Sequence, residues 1–143
     1  MKKHKKNSSS VSSVSSVVAC LLCVLSFAIL SAQAKTWTLP EGAANEKSPL
    51  ASSPDVLKKG ESLYKSNCAG CHGQAGLGDG PNVDKKDRAH RPANLTISRN
   101  PDGVVFYKVW NGRQNPRMPV FADQLTKEQV WAIVAYVQTL RQK

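Results

Sequence analysis

Cysteine and methionine are scarce in this chain, and each scarcity narrows what the protein can be. Of 143 residues, four are cysteine and two are methionine. Cys20 and Cys23 fall in an N-terminal apolar stretch, which leaves Cys68 and Cys71 to the remainder. Two cysteines this close would close a loop too short to restrain much of a chain, so a disulfide scaffold is excluded. Acidic residues are few as well, with 10 Asp and Glu against 20 Lys and Arg. A long apolar run is also missing. The stretch 17–30 spans 14 residues and contains Ser26, short of the roughly 20 that a membrane-spanning helix needs.

What stands at the N-terminus has three parts. Lys2, Lys3, Lys5 and Lys6 are followed by a Ser-rich spacer, then by the apolar run, and Ala32-Gln33-Ala34 ends it with small residues. That is the pattern of a secretory signal peptide over residues 1–34, cleaved before Lys35. The competing reading retains the segment as a membrane anchor, and only then would the protein associate with a membrane. A lipidation box at Cys20 is set aside because its apolar stretch follows the cysteine when it should precede it. Removing the four leader lysines leaves 16 Lys and Arg against 10 Asp and Glu. This excess suits steering toward an acidic partner surface. Nucleic acid is excluded as partner, since the charges are scattered and the chain is read as exported.

Residues 35–52 are rich in Ala, Ser, Pro and charge and read as a linker or loosely attached arm, with Trp37 their only aromatic. The domain is expected over 53–143. Ser53-Pro54-Asp55 starts a helix: a capping hydroxyl, a proline suited to the first turn, and an acid at the positive end of the dipole. Val56, Leu57, Gly60, Leu63 and Tyr64 share one stripe of it. Gly60 inside a helix costs about 1 kcal/mol relative to alanine, a cost that a closely crossing second helix would offset. The run from Gly73 to Pro81 reads as loop. It lacks the following Lys-Ser/Thr and the preceding strand of a phosphate-binding loop. Asn100-Pro101-Asp102 repeats the start signal for a short helix carrying Val104, Val105, Tyr107 and Val109, which Gly112 can end. A loop through Pro116, Met118 and Pro119 leads to the last helix. There Thr126 and Gln129 make a capping box, Leu125 and Val130 a hydrophobic staple, and Val130, Ile133, Val134, Val137 and Leu140 the apolar side. The fold class is all-α.

Cys68-Ala69-Gly70-Cys71-His72 carries the chemistry. Cys-x-x-Cys-His is the attachment signature of c-type haem. Two thiols three positions apart on one turn can add to the two porphyrin vinyl groups, and the next residue, His72, then presents its imidazole to the iron. A covalently held haem can serve as the core of a domain of about 90 residues that would be marginal alone. A thioredoxin-like redox pair would need a βαβ pattern, which is missing. A zinc site would have to use Cys68, Cys71, His72 and His90, and adjacent Cys71 and His72 do not readily face one ion.

On these residues the chain resembles the class I c-type cytochromes of the bacterial type, over about 53–141. Gly60 and Tyr64 precede the motif, Met118-Pro119 lies in a late loop, and Ile133 and Tyr136 lie in the closing helix. Gly78-Asp79-Gly80-Pro81 and Arg91-Pro92-Ala93-Asn94-Leu95-Thr96 look like the branch found both free and as modules of respiratory or dehydrogenase complexes. The resemblance implies three to five helices around one haem, with the first and last helices crossing. It implies one haem c with its iron, bound covalently through Cys68 and Cys71, with His72 the proximal and Met118 the distal iron ligand. Met118 is the sole methionine after Met1, and His90 is the competing sixth ligand. The free nitrogen of the His72 ring needs a backbone carbonyl, for which Pro81 and then Pro92 are the first guesses. Arg91, Arg113, Arg117, Trp110 and Asn94 are candidates to meet the haem carboxylates. The function implied is outer-sphere electron transfer in the periplasm, with no catalytic residue. An electron-accepting subunit of a dehydrogenase or oxidase is the first alternative, and a haem enzyme or gas sensor the second.

Overall fold

A computed structural model describes residues 37–113 and 117–141. The expected leader over 1–34 lies outside the described residues, as do Lys35 and Pro116. Four helices are described: α1 over Pro54–Asn67, α2 over Ala69–His72, α3 over Asp102–Asn111 and α4 over Lys127–Thr139, with a 3-10 turn at Ala43–Asn45 ahead of them. No strand occurs among the described residues; their one strand-like pairing is an isolated antiparallel bridge between Arg113 and Met118. No described helix is long and apolar enough to cross a membrane.

The helix ends follow from local chemistry. The Ser53 hydroxyl accepts from the Val56 amide at 3.2 Å, with Pro54 in the first turn of α1. In α4 the capping box is complete: the Thr126 amide donates to Gln129 Oε1 at 2.8 Å and the Gln129 amide donates to Thr126 Oγ1 at 3.2 Å. Thr126→Ala would orphan one of these donors. It is expected to cost about 1 kcal/mol, read as a fall in Tm of about 4–8 °C. A change below 1 °C would mean the box contributes nothing. The second start signal works differently from the first. Pro101, not Asn100, takes the cap position of α3, with no side-chain cap, and the Asn100 amide group donates to Ser98 Oγ at 3.0 Å. Gly112 ends α3 at a φ of 59°.

Packing begins where α1 meets α4. A Cβ on Gly60 would overlap the Ala132 carbonyl oxygen and lie 2.8 Å from its carbon and 3.0 Å from Tyr136 Cβ. The glycine therefore removes the side chain that would hold the two helices apart. One turn on, the rings of Tyr64 and Tyr136 meet with centroids 5.3 Å apart. Two apolar clusters result. One gathers Tyr64, Cys68, Ala69, Ile133 and Val137; the other gathers Phe106, Val109, Phe121, Val130, Trp131 and Val134. Phe106 lies at the heart of the second, with Trp131 stacked on it at 4.3 Å and Trp110 at 5.8 Å. Helix α4 runs through both clusters and is buried well beyond one stripe, since Trp131 and Ala132 are buried too.

From Trp37 onward, the stretch read as a linker or arm packs on the domain. Ala43 is buried and its carbonyl lies against Gly103 of α3, where an added Cβ would overlap it. Leu50 packs against the second cluster. A composition of Ala, Ser and Pro gives no periodic stripe that would announce this contact; it depends on a bare glycine on another helix.

Candidate functional site

Helix α2 is a single turn that carries the Cys-x-x-Cys-His motif, and hydrogen bonds from the following loop hold that turn. The His72 amide donates to the Cys68 carbonyl at 2.8 Å and the Gly73 amide to the Ala69 carbonyl at 2.9 Å. The last carbonyls of so short a helix have no partner within it. The glycine-rich loop supplies them: Asn82, Gly80 and Gly78 amides donate to the carbonyls of Gly70, Cys71 and His72 at 2.8, 3.1 and 2.8 Å. A Cβ at Gly80 would lie 2.6 Å from the Ala69 carbonyl oxygen, so glycine is required for the loop to come this close. The buried Tyr64 hydroxyl donates to the Gly73 carbonyl at 2.7 Å, and burial pushes its pKa well above the usual phenol range.

Cys68 is buried and Cys71, on the same turn, is exposed; neither is in a disulfide. Burial, with a smaller contribution from Cys71, pushes the Cys68 thiol up to about 12. Thiol–disulfide chemistry wants a lowered pKa, the opposite of the Cys68 shift. Among the described residues no group of three or more His, Cys, Asp and Glu could hold a metal ion.

The half-buried His72 ring has Nδ1 3.1 Å from the Ala93 carbonyl oxygen. A carbonyl only accepts, so Nδ1 carries the proton and Nε2 keeps its lone pair. Burial lowers the imidazole pKa, which the Ala93 bond opposes in part; the ring is neutral at neutral pH. The partner is therefore neither Pro81 nor Pro92. The Pro92 carbonyl is taken up against Gly78, where a Cβ would lie 2.5 Å from its oxygen, and the next carbonyl is the one that meets the ring.

Met118 is placed by the end of α3. Arg113 and Met118 exchange backbone hydrogen bonds of 2.8 and 2.7 Å. A Cβ on Gly112 would lie 2.6 Å from the carbonyl oxygens of both Met118 and Pro119, so only glycine allows the chain to fold back here. The half-buried Met118 packs against the second apolar cluster.

One cavity of about 150 Å³ lies between the clusters, and Cys68, His72 and Met118 all line it. Its apolar walls come from Leu95, Val105, Val109, Ile133 and Val137, with Tyr64. Its charged lining is of one sign: Arg91, Lys108, Arg113 and Arg117, with His90, and no Asp or Glu. His90 is exposed and its Nδ1 is 2.6 Å from Asp87 Oδ2. Two residues expected near the cavity are engaged elsewhere. Trp110 stacks on Phe106, and Asn94 Oδ1 accepts from the Thr96 amide and hydroxyl at 2.9 and 2.8 Å. Two others line it unforeseen, Lys108 and Trp37. The Trp37 ring centroid is 4.4 Å from Arg113 Cζ and 5.3 Å from Lys108 Nζ, contacts each worth about 0.5–1 kcal/mol at exposed sites. Burial and the neighbouring Arg113 lower the Lys108 pKa.

An apolar cleft with a cationic lining, a buried cysteine, a neutral histidine and a thioether fits a flat aromatic macrocycle that bears carboxylates and a central iron. A helical domain built around such a cleft is that of a c-type cytochrome. The cytochrome c family model matches residues 57–141, and the chain belongs to that family. Among its relatives, cytochrome c6 of Parathermosynechococcus lividus is 32% identical over 81 residues, covering 57% of this chain and 86% of that protein. Cytochrome c6 of Thermosynechococcus vestitus is 32% identical over 89 residues, 62% of this chain and 73% of that protein. The cbb3-type cytochrome c oxidase subunit FixP of Sinorhizobium medicae is 29% identical over 115 residues, 76% of this chain but only 40% of that protein. The protein is thus a haem-based electron carrier with covalently bound haem c and its iron.

Proposed function

We propose that this chain is an exported carrier of single electrons whose haem is held through Cys68 and Cys71, with His72 and Met118 as iron ligands. The observation that carries this reading is the presence of Cys68, His72 and Met118 in the wall of one cavity. His72 donates from Nδ1 to Ala93 and so offers Nε2 to the iron. Met118 is held by its backbone pairing with Arg113 and offers a soft thioether. Bound there, the haem supplies a one-electron couple, and a His/Met ligand pair raises its potential. The apolar walls keep water from the ring, which disfavours the more highly charged ferric state. The work asked of the protein is to bind, insulate and present the cofactor. The excess of Lys and Arg over Asp and Glu favours an acidic redox partner, and the N-terminal pattern favours the periplasm, with residues 1–34 as its leader.

The visible spectrum of the protein, purified from a periplasm that matures c-type haem, tests this. Sharp low-spin bands on reduction and a weak methionine-to-iron charge-transfer band on oxidation are expected. Met118→Ala should keep the haem attached, abolish that band, lower the potential and let reduced iron bind carbon monoxide rapidly. An unchanged spectrum and potential would remove Met118 from the iron.

A second reading makes the chain a subunit of an oxidase or dehydrogenase, favoured by its likeness to a protein named as an oxidase subunit over 76% of its own length. Mild crosslinking followed by purification separates the two. A stable stoichiometric complex supports the subunit, and recovery of the monomer alone supports the shuttle. Rapid carbon monoxide binding by the unaltered protein would instead favour a haem enzyme or sensor.

A further inference from the structure

The segment ahead of the helical domain is folded, and several of its parts bear on α3. Its backbone turns at Gly42, where φ is 79°, and the Asn45 amide donates to the Gly42 carbonyl at 2.8 Å. Seated against α3, this turn leaves no room at Gly103. An added Cβ there would overlap the Ala43 carbonyl oxygen and lie 2.8 Å from Glu46 Cβ and 3.0 Å from the Glu46 carbonyl oxygen. Tyr107, four residues on and so on the same face of α3, bonds the Glu46 side chain through its hydroxyl. Leu50 packs on the cluster around Phe106, against which Met118 also packs. At the other end Trp37 reaches the cavity that Met118 lines. The segment thus runs along the helix whose fold-back at Gly112 places Met118. His72 is held from elsewhere, by the Ala93 carbonyl and by the loop that caps α2.

We propose that residues 37–50 form a strap that positions Met118 by pinning α3, and so set how readily an outside ligand replaces the methionine on the iron. The inference rests on the reading of Met118 as iron ligand. A thioether ligand is a single atom on a loop, and its bond opens whenever that loop can move away. Helix α3 and the loop move together, because Arg113 and Met118 exchange two backbone hydrogen bonds. With the strap seated, displacing α3 costs the contacts at Gly103, Tyr107 and Leu50 at once. With the strap loose, the packing of α3 on α4 resists alone. His72 has its own supports, so the loss falls on the distal ligand and the haem stays attached.

The test uses the full chain matured with haem, as Gly103→Ala and Tyr107→Phe. The first drives a methyl group into the seat of the strap. The second removes only the hydroxyl that holds Glu46, and it decides the matter should the first fail to fold. Two quantities are read. One is the rate of tryptic cleavage after Lys47, which is exposed in the strap. The other is the affinity of the ferric protein for imidazole, titrated by loss of the methionine-to-iron charge-transfer band. Gly103→Ala should speed cleavage and raise imidazole affinity about tenfold or more. Tyr107→Phe should raise it about two- to fivefold. Gly60→Ala, which loosens α1 from α4 instead, should lower Tm yet leave imidazole affinity within about twofold, since distant sites act independently. That contrast separates positioning from a general loss of stability. Faster cleavage with unchanged imidazole affinity would overturn the proposal, because the strap would then not reach Met118. Unchanged cleavage in both variants would overturn it as well, since nothing would be seated on Gly103. A missing charge-transfer band in the unaltered protein would instead sink the Met118 reading and the proposal with it, while leaving the cleavage result standing.

Discussion

Replacing Cys68 and Cys71 together by alanine is expected to yield a chain with no covalent haem and no cooperative fold. The reason lies in the cavity between the two apolar clusters. Its walls are Tyr64, Leu95, Val105, Val109, Ile133 and Val137, side chains that would form a core if they touched one another. Left unfilled, the cleft leaves these apolar faces open to water and forfeits about 25 cal/mol for each Å² of apolar surface that the haem would cover. Domains of this size have about 5–15 kcal/mol in total, so leaving the cleft unfilled removes a large part of what there is. The covalent attachment also keeps the filler with the chain when the fold opens. Haem staining after denaturing electrophoresis, with far-ultraviolet circular dichroism, checks both statements. Persistent covalent haem would move the attachment elsewhere. A folded haem-free double variant would show that the clusters close on each other without the cofactor.

Gly60→Ala should be strongly destabilising although it adds a single methyl group. In an exposed helix this change gains about 1 kcal/mol. Here the new methyl group meets the Ala132 carbonyl oxygen and lies 2.8 Å from the carbonyl carbon. Neither is the end of a flexible side chain, so α1 and α4 must separate, and the Tyr64–Tyr136 contact and the buried faces of Ile133 and Val137 loosen together. Overpacking against yielding side chains costs about 1–3 kcal/mol. Against backbone the upper figure applies, and less the gain in propensity the net loss of about 2 kcal/mol corresponds to a fall in Tm of about 8–16 °C. Thermal unfolding followed by circular dichroism would read it. Ser62→Ala, on the exposed face of the same helix, serves as the comparison and should stay within about 0.5 kcal/mol. If the two variants melted together, the close approach of the helices would be wrong.

Both predictions reach back to features legible in the chain as written. The motif at 68–72 is local chemistry: two thiols and an imidazole need a fixed spacing on one turn, and spacing is what a sequence records. The caps at Ser53 and Thr126 are local for the same reason, since a hydroxyl three residues from an amide bonds it wherever the helix lies. Gly60 could be read because a glycine inside a helical stripe is a cost that asks for a cause. Asn100-Pro101-Asp102 marked a helix start, and α3 begins at Asp102. Where a signal depended on more than one segment, reading failed. Pro81 and Pro92 were reasonable carbonyls for His72, and the bond goes to Ala93.

By itself, then, the sequence determined the helical class, the Cys-x-x-Cys-His motif, the glycine at the helix contact and the excess of positive charge. Only the tertiary structure decided that Met118 shares a cavity with His72, that the glycine loop caps the haem turn, and that Trp37 stands with Lys108 and Arg113 at that cavity. The physical reason is range. Spacing along a chain encodes interactions within one turn or one stripe, whereas these three depend on backbones from separate segments approaching where Gly112, Gly80 and Gly103 leave no side chain in the way.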